Sequence, residues 1–195
     1  MTDITSDASS GRRNGAVGNS TKSVGSSDAR ADTAPLDLVA CVELFYFAYR
    51  DFTCDPDTIL AHYGFGRAHH RVLHFVHRNP GLKVAELLEI LKITKQALAR
   101  VLKQLVDEGF IIQRAGDEDR RERRLYVSTK GGRLTDKLTE IQTKRVEAAL
   151  ANAGPGAESL MRRFLFGMIA EKDRPYVEAL INAGGASGKL RNGAD

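Results

Sequence analysis

The chain has 195 residues, 42% of them hydrophobic, enough for one ordinary domain with tails, so global disorder is excluded. Two cysteines cannot form a disulfide framework, no apolar run reaches the length of a membrane span, and the polar N-terminus lacks a signal-peptide pattern, so a cytoplasmic protein without a membrane partner is expected. The net charge of +4 is uneven: residues 36–65 carry five acids against Arg50, whereas residues 66–133 carry fifteen Lys and Arg against eight Asp and Glu, which places an expected polyanion partner in the middle third.

Residues 1–34 are rich in Ser, Gly, Asp and Asn and cannot bury enough surface to offset their ordering entropy. They are expected to be a disordered tail, as is 184–195, leaving one domain over 35–183. The stretch from Leu36 to Phe52 is apolar around most of a helical circumference, which implies burial on both sides. "DPDTILAHYGFG" predicts a short separate helix and a break. "RAHHRVLHFVHRNPG" predicts a helix with Val72, Leu73, Phe75 and Val76 inward, stopped by Asn79-Pro80-Gly81.

Two shorter helices follow. "KVAELLEILK" sets Val84, Leu87, Leu88 and Leu91 on one face. Thr94 is the expected N-cap of "KQALARVLKQLVDEG", with Gly109 ending it. On that helix Leu98, Val101, Leu102 and Leu105 point inward, so Lys95, Gln96, Ala99, Arg100 and Lys103 face solvent. "FIIQR" and "RLYVS" then read as strands flanking the charged run "GDEDRRERR". A long amphipathic helix runs from Thr129 to Gly154-Pro155-Gly156, and helical patterns at Ala157–Ile169 and Asp173–Asn182 close the chain, with Asp173 able to cap the last.

Helix, helix, tight turn, helix and a two-stranded hairpin is the order of a winged helix-turn-helix, a mainly α fold with a small β-hairpin wing. A helix fits the major groove, where Gln can bond adenine and Arg guanine in bidentate fashion. A hairpin tip rich in arginine suits phosphates or the narrow minor groove. A basic helix face alone is usually just solvated. Its combination with a basic hairpin immediately downstream points to double-stranded DNA. The alternative is a winged-helix interaction module that uses the same scaffold to bind protein or RNA.

"LLEILKITKQALARVLKQLVDEGFI" and "DRRERRLYVSTKG" resemble the paired DNA-binding helices and the wing of the MarR family of bacterial transcriptional regulators. The resemblance spans about Leu36 to Asn182, and "FYFAYRDFTCDPDTILAHYGFGRAHHRVLHF" is similar to a proteobacterial subgroup linked by name to photosynthetic electron transfer. It implies a homodimer on an inverted-repeat operator, with a winged core at about 66–128 and dimerisation helices at about 36–64 and 129–183. It implies recognition-helix contacts from Lys95, Gln96, Ala97 and Arg100, beside which Thr94 and Lys103 are further candidate DNA contacts. In the wing the resemblance implies that Asp119 orients Arg121 toward the minor groove, while Arg120 and Arg123 meet phosphates. Ala97 and Ala99 stand where members often carry Ser or Thr, so base readout leans on Gln96 and Arg100. The Gly154–Gly167 region is longer than the family pattern.

His70, His74 and His77 share a helix face at i, i+4, i+7 and are weak candidates for a metal site, although no nearby Cys or acid completes the set; no metal or cofactor is expected. Cys41 lies in the first helix near Tyr46 and Tyr49, the arrangement by which peroxide-sensing relatives detect oxidants; packing among apolar neighbours is the commoner role. Any small-molecule or redox effector is of unknown identity. "GFGRAH" lacks the third glycine of a dinucleotide loop, and no Ser-His-Asp order or carboxylate pair stands out, so an enzyme is not expected.

Overall fold

The computed structural model describes residues 37–116 and 122–191. The expected tail 1–34 and the wing-tip residues Asp119, Arg120 and Arg121 lie outside the described residues. In order the elements are α1 (Leu38–Ala61), α2 (Arg67–Arg78), β1 (Leu82–Lys83), α3 (Val84–Leu91), α4 (Lys95–Asp107), β2 (Ile111–Ala115), β3 (Arg123–Val127), α5 (Thr129–Ala153), α6 (Ala157–Met168), a 3-10 turn (Glu171–Asp173) and α7 (Arg174–Arg191). The strands form one antiparallel sheet in the order β1-β3-β2, with Gln113 opposite Leu125 and Leu82 also opposite Leu125. The fold is thus mainly α with a small sheet, as expected, but the hairpin has a third strand. A two-residue strand has no periodicity of its own for a sequence to display.

The core lies between Leu60 and Leu138. Leu73 and Val76 of α2, Leu87 of α3, Leu98 and Leu105 of α4, Leu125 of β3 and Leu138 of α5 join Leu60 and Phe110 in one buried cluster. Each helix contributes the apolar stripe its i, i+3, i+4 spacing dictates. Burying such side chains stabilises the lobe by about 1.5–3 kcal/mol each before entropy is counted. Helix α6 adds no buried residue, and α1 buries only Pro56 and Leu60.

Helix α1 corrects one expectation. Instead of breaking after Phe52, it runs on to Ala61, 24 residues in all, with Pro56 inside it. An interior proline removes the N–H that would bond the carbonyl four residues back, at a cost of about 3 kcal/mol. That carbonyl belongs to Phe52, and Gln142 Nε2 of α5 donates to it at 3.3 Å. Three residues along α5, Arg145 meets Asp55 at 2.6 Å, so the stretch of α1 around the proline is held from outside. The first half of α1, expected to be buried on both sides, is exposed in the single chain: Leu38, Val42, Leu44 and Phe45 all face outward.

At the C-terminus, where a tail is expected from 184, α7 runs from Arg174 to Arg191. Gly184 is buried where α7 crosses α2, and a Cβ there would stand 2.8 Å from Arg78 Nε. The glycine marks a close approach of two helices rather than a helix end. Asp173 ends the 3-10 turn before α7, and Arg174 Nε and Nη2 donate to the carbonyls of Ile169 and Gly167, tying α7 to the end of α6.

The proline account makes a direct prediction. Gln142→Ala should cost about 1 kcal/mol by leaving the Phe52 carbonyl unpaired. In a Pro56→Ala background the backbone N–H returns and Gln142→Ala should cost almost nothing. Urea denaturation of the four proteins followed by circular dichroism reads the coupling; an equal cost in both backgrounds would refute it.

Candidate nucleic-acid interface

Helix α4 begins as its sequence dictates. Thr94 Oγ1 accepts the Ala97 N–H at 3.2 Å, an N-cap that satisfies one of the four otherwise unpaired amides. The turn before it is tight: Lys92 adopts a left-handed conformation (φ 49°) and its N–H bonds the Leu88 carbonyl. Leu98, Leu102 and Leu105 are buried, so Lys95, Gln96, Ala97, Ala99, Arg100 and Lys103 are all turned to solvent. Gln96, Arg100 and Lys103 follow i, i+4, i+7 spacing and form one stripe. Among the described residues Lys95, Gln96 and Arg100 have no side-chain partner, while Lys103 pairs with Asp107 at 2.5 Å.

The back of α4 is fixed by groups that sequence reasoning did not single out. Gln104 Oε1 lies 2.9 Å from His69 Nε2 on α2, and His69 Nδ1 accepts the Gly66 N–H at 3.1 Å. An accepting Nδ1 places the ring proton on Nε2, so His69 donates to Gln104. The His69 ring stacks on Phe65 at 4.7 Å, which holds its plane. At the far end of α4, Gly109 takes φ +74° and the Phe110 N–H reaches back to the Leu105 carbonyl at 2.8 Å, closing a Schellman motif.

The wing starts from that motif. Ser128 Oγ donates to the Gly109 carbonyl at 2.7 Å and accepts the Gly131 N–H at 3.0 Å, which ties the end of α4 to the start of α5. A Cβ on Gly131 would sit 2.1 Å from the Phe110 carbonyl oxygen, so no larger residue fits the crossing. At the outer end Glu122 bonds Lys83 Nζ at 2.6 Å and lies 3.8 Å from Arg124. That hydrogen bond raises the Lys83 ammonium above its ordinary value. The glutamate interrupting the arginine run therefore clamps β1 to the hairpin; its odd place among cations is the signal that could have revealed it. Arg123 is exposed on β3, and Arg114 of β2 rests over the Tyr126 ring at 5.0 Å. The structure thus brings Arg123 and the α4 stripe onto one winged lobe, and its description stops short of Asp119, Arg120 and Arg121.

The histidines occupy a different place. His70 and His74 line a cavity of about 250 Å³ between α1, α2 and α5, together with Tyr49 and Arg67. His77 instead reaches Asp136 of α5 at 3.0 Å. Among the described residues no group of three His, Cys, Asp or Glu side chains is placed to hold a metal ion. Cys41 is half-buried and Cys54 exposed, both free. Thirteen positions apart on one helix, they are separated by about 20 Å and cannot pair within a chain. Among the described residues no helix is long and apolar enough to cross a membrane.

Helices α2 to α4, the three-stranded sheet and the flanking long helices define a winged helix-turn-helix protein. A profile of the MarR family matches residues 63–122. The HTH-type transcriptional regulator PetP of Rhodobacter capsulatus is 44% identical over 142 residues, covering 73% of this chain and 86% of that protein. The chain belongs to the MarR family and is a transcriptional regulator. Solved structures of similar fold include Streptococcus pneumoniae FabT in complex with DNA (TM-score 0.61, 15% identity, 74% of this chain and 99% of that one). The transcriptional regulator SlyA is another (TM-score 0.58, 19% identity, 73% and 99%).

Burial supplies a prediction here. It holds the His74 imidazole down at about 4, with His70, Arg78 and His77 adding repulsion, and it lowers His70 as well. Protonation is then harder in the folded chain than in the unfolded one, whose histidine titrates near 6.5. Stability is full above about pH 6.5 and should decline as pH falls toward 4. Urea midpoints measured from pH 7 to 4.5 should fall less steeply in His74→Leu than in wild type, and parallel curves would rule His74 out as a source.

Proposed function

We propose that the protein regulates transcription as a homodimer that binds an inverted-repeat DNA operator through α4 and the wing. The observation that carries this reading is the solvent stripe of α4, where Lys95, Gln96 and Arg100 stand free beside the paired Lys103 while the opposite face is core. Side chains free of local partners can meet base edges without first breaking other bonds. The FabT relative of the same fold is bound to DNA in its solved structure, which supports the same partner here.

The dimer is supported by apolar surface. Leu38, Val42 and Phe45 of α1 and Phe164 and Met168 of α6 are between 45% and 70% exposed. So many large apolar side chains exposed on α1 and α6 are more than a lone soluble chain ordinarily shows. A two-fold dimer reads half-sites about one helical turn, roughly 10 base pairs, apart. Lys95 and Lys103 are assigned to phosphates, Gln96 and Arg100 to bases, and Thr94 and Ala97 to the approach of the helix N-terminus. The interaction-module alternative predicts a shallow salt dependence and no sequence preference.

Selection from random duplex DNA should yield an inverted repeat. Gln96→Ala and Arg100→Ala should each relax preference at particular positions by about 1–3 kcal/mol. A single unrepeated half-site would overturn the dimer, and uniform loss over all sequences would reassign both residues to phosphate.

The wing is tested by opposing signs. Arg121→Ala should weaken binding and flatten its salt dependence, because a cation among phosphates releases counterions. Asp119→Ala removes a negative charge near a polyanion, so electrostatics alone predicts tighter binding. If Asp119 orients Arg121, binding weakens instead. Titration of fluorescent operator at two salt concentrations decides, and tighter binding by Asp119→Ala with Arg121→Ala at wild-type affinity would sink the wing assignment.

A further inference from the structure

Between the α1–α2 turn and the start of α5 lies a groove of about 430 Å³ that the DNA reading leaves unused. Tyr63 and Phe110 wall it, Leu134 lies beneath, and Lys130, Arg133 and Lys137 line it from α5. Spacing of i, i+3, i+7 sets the three cations on one helix face. No carboxylate is among the lining residues.

Elsewhere α5 neutralises its cations. Lys144 meets Glu140 and Arg145 meets Asp55, each at 2.6 Å. The acid nearest the cluster in sequence, Asp136, bonds His77 instead. Among the described residues Arg133 and Lys137 have no side-chain partner. Lys130 is half-committed: its Nζ donates to the Glu108 carbonyl at 3.0 Å and sits 4.0 Å above the Phe110 ring. Like charges a turn apart repel one another, and a bound anion relieves them.

The shape narrows the anion. A carboxylate offsets one positive charge, whereas a phosphomonoester carries about −1.5 to −2 near pH 7. Tyr63 is held against Phe65 at 5.9 Å and edge-on to Phe110 at 5.4 Å, which makes a firm aromatic wall for a flat ring. The geometry points to a binding site for a small phosphate-bearing molecule with a flat ring, of the nucleoside monophosphate class, its phosphate between Arg133 and Lys137 and its ring against Tyr63. The phosphate also competes with the Glu108 carbonyl for Lys130, so occupancy is felt at the C-terminal cap of α4.

Calorimetric titration of the full chain without DNA tests this, using adenosine 5′-monophosphate, adenosine, inorganic phosphate and benzoate as probes. The monophosphate should bind, and the other three should bind at least about tenfold more weakly, the scale of one charged hydrogen bond. Arg133→Gln and Lys137→Gln should each weaken the monophosphate about tenfold, with circular dichroism and melting unchanged, while Lys144→Gln leaves the titration as in wild type. Amide resonances of Gly109 and Phe110 should shift on binding. The proposal is overturned by no binding of the monophosphate up to millimolar concentration, by adenosine, phosphate or benzoate binding equally well, or by full affinity in both Gln variants.

Discussion

The winged lobe depends on the contact at Ser128, Gly131 and Phe110, where three elements meet within a few ångströms. The Ser128 hydroxyl is shared between the Gly109 carbonyl and the Gly131 amide, and the Ser128 N–H bonds the Phe110 carbonyl at 3.0 Å. One side chain thus caps α5 and secures the residue that ends α4. Its geometry requires bare backbone at Gly131, since any Cβ collides with the carbonyl that Ser128 holds. The hairpin leaves from this knot and α4 ends in it, so the angle between α4 and the hairpin is set here.

The two long helices are joined by a different logic. A proline in the middle of α1 makes an orphan carbonyl, and α5 supplies the donor from a position 90 residues later. The same stretch of α5 bears Arg145 for Asp55. A local defect in one helix has become a specific address for another. Packing of apolar surface alone would permit many registers between α1 and α5; a half-buried carbonyl needing one particular amide permits far fewer.

What the sequence displayed follows from how local each determinant is. The N-cap at Thr94, the inward leucines of α4 and the left-handed Gly109 were legible because each is decided within one turn of chain. The solvent stripe of Lys95, Gln96 and Arg100 followed from the same periodicity. The continuity of α1 was not legible, because Pro56 signals a break unless Gln142 is known to stand opposite. Gly184 likewise reads as an ending until Arg78 is seen across from it. Strand β1 and the Lys83–Glu122 clamp arise only when the hairpin folds back, and the His69–Gln104 bond joins residues 35 positions apart. The basic groove escaped notice because Tyr63 and Phe110 come from outside α5.

The left-handed residue in the helix-turn-helix carries one more consequence. Glycine is the usual occupant of such a conformation, and here it is Lys92. A side chain in that region costs about 1–2 kcal/mol of steric strain. It also narrows what the unfolded chain can sample, which offsets part of the penalty. The stiffness is gained at the joint itself: with a Cβ in place, the backbone at 92 sits in a small steric well instead of a broad one, and the angle between α3 and α4 has little room to wander. Precision in orienting one helix against another can be stored this way in a single pair of backbone torsions, without requiring a side-chain contact between the two.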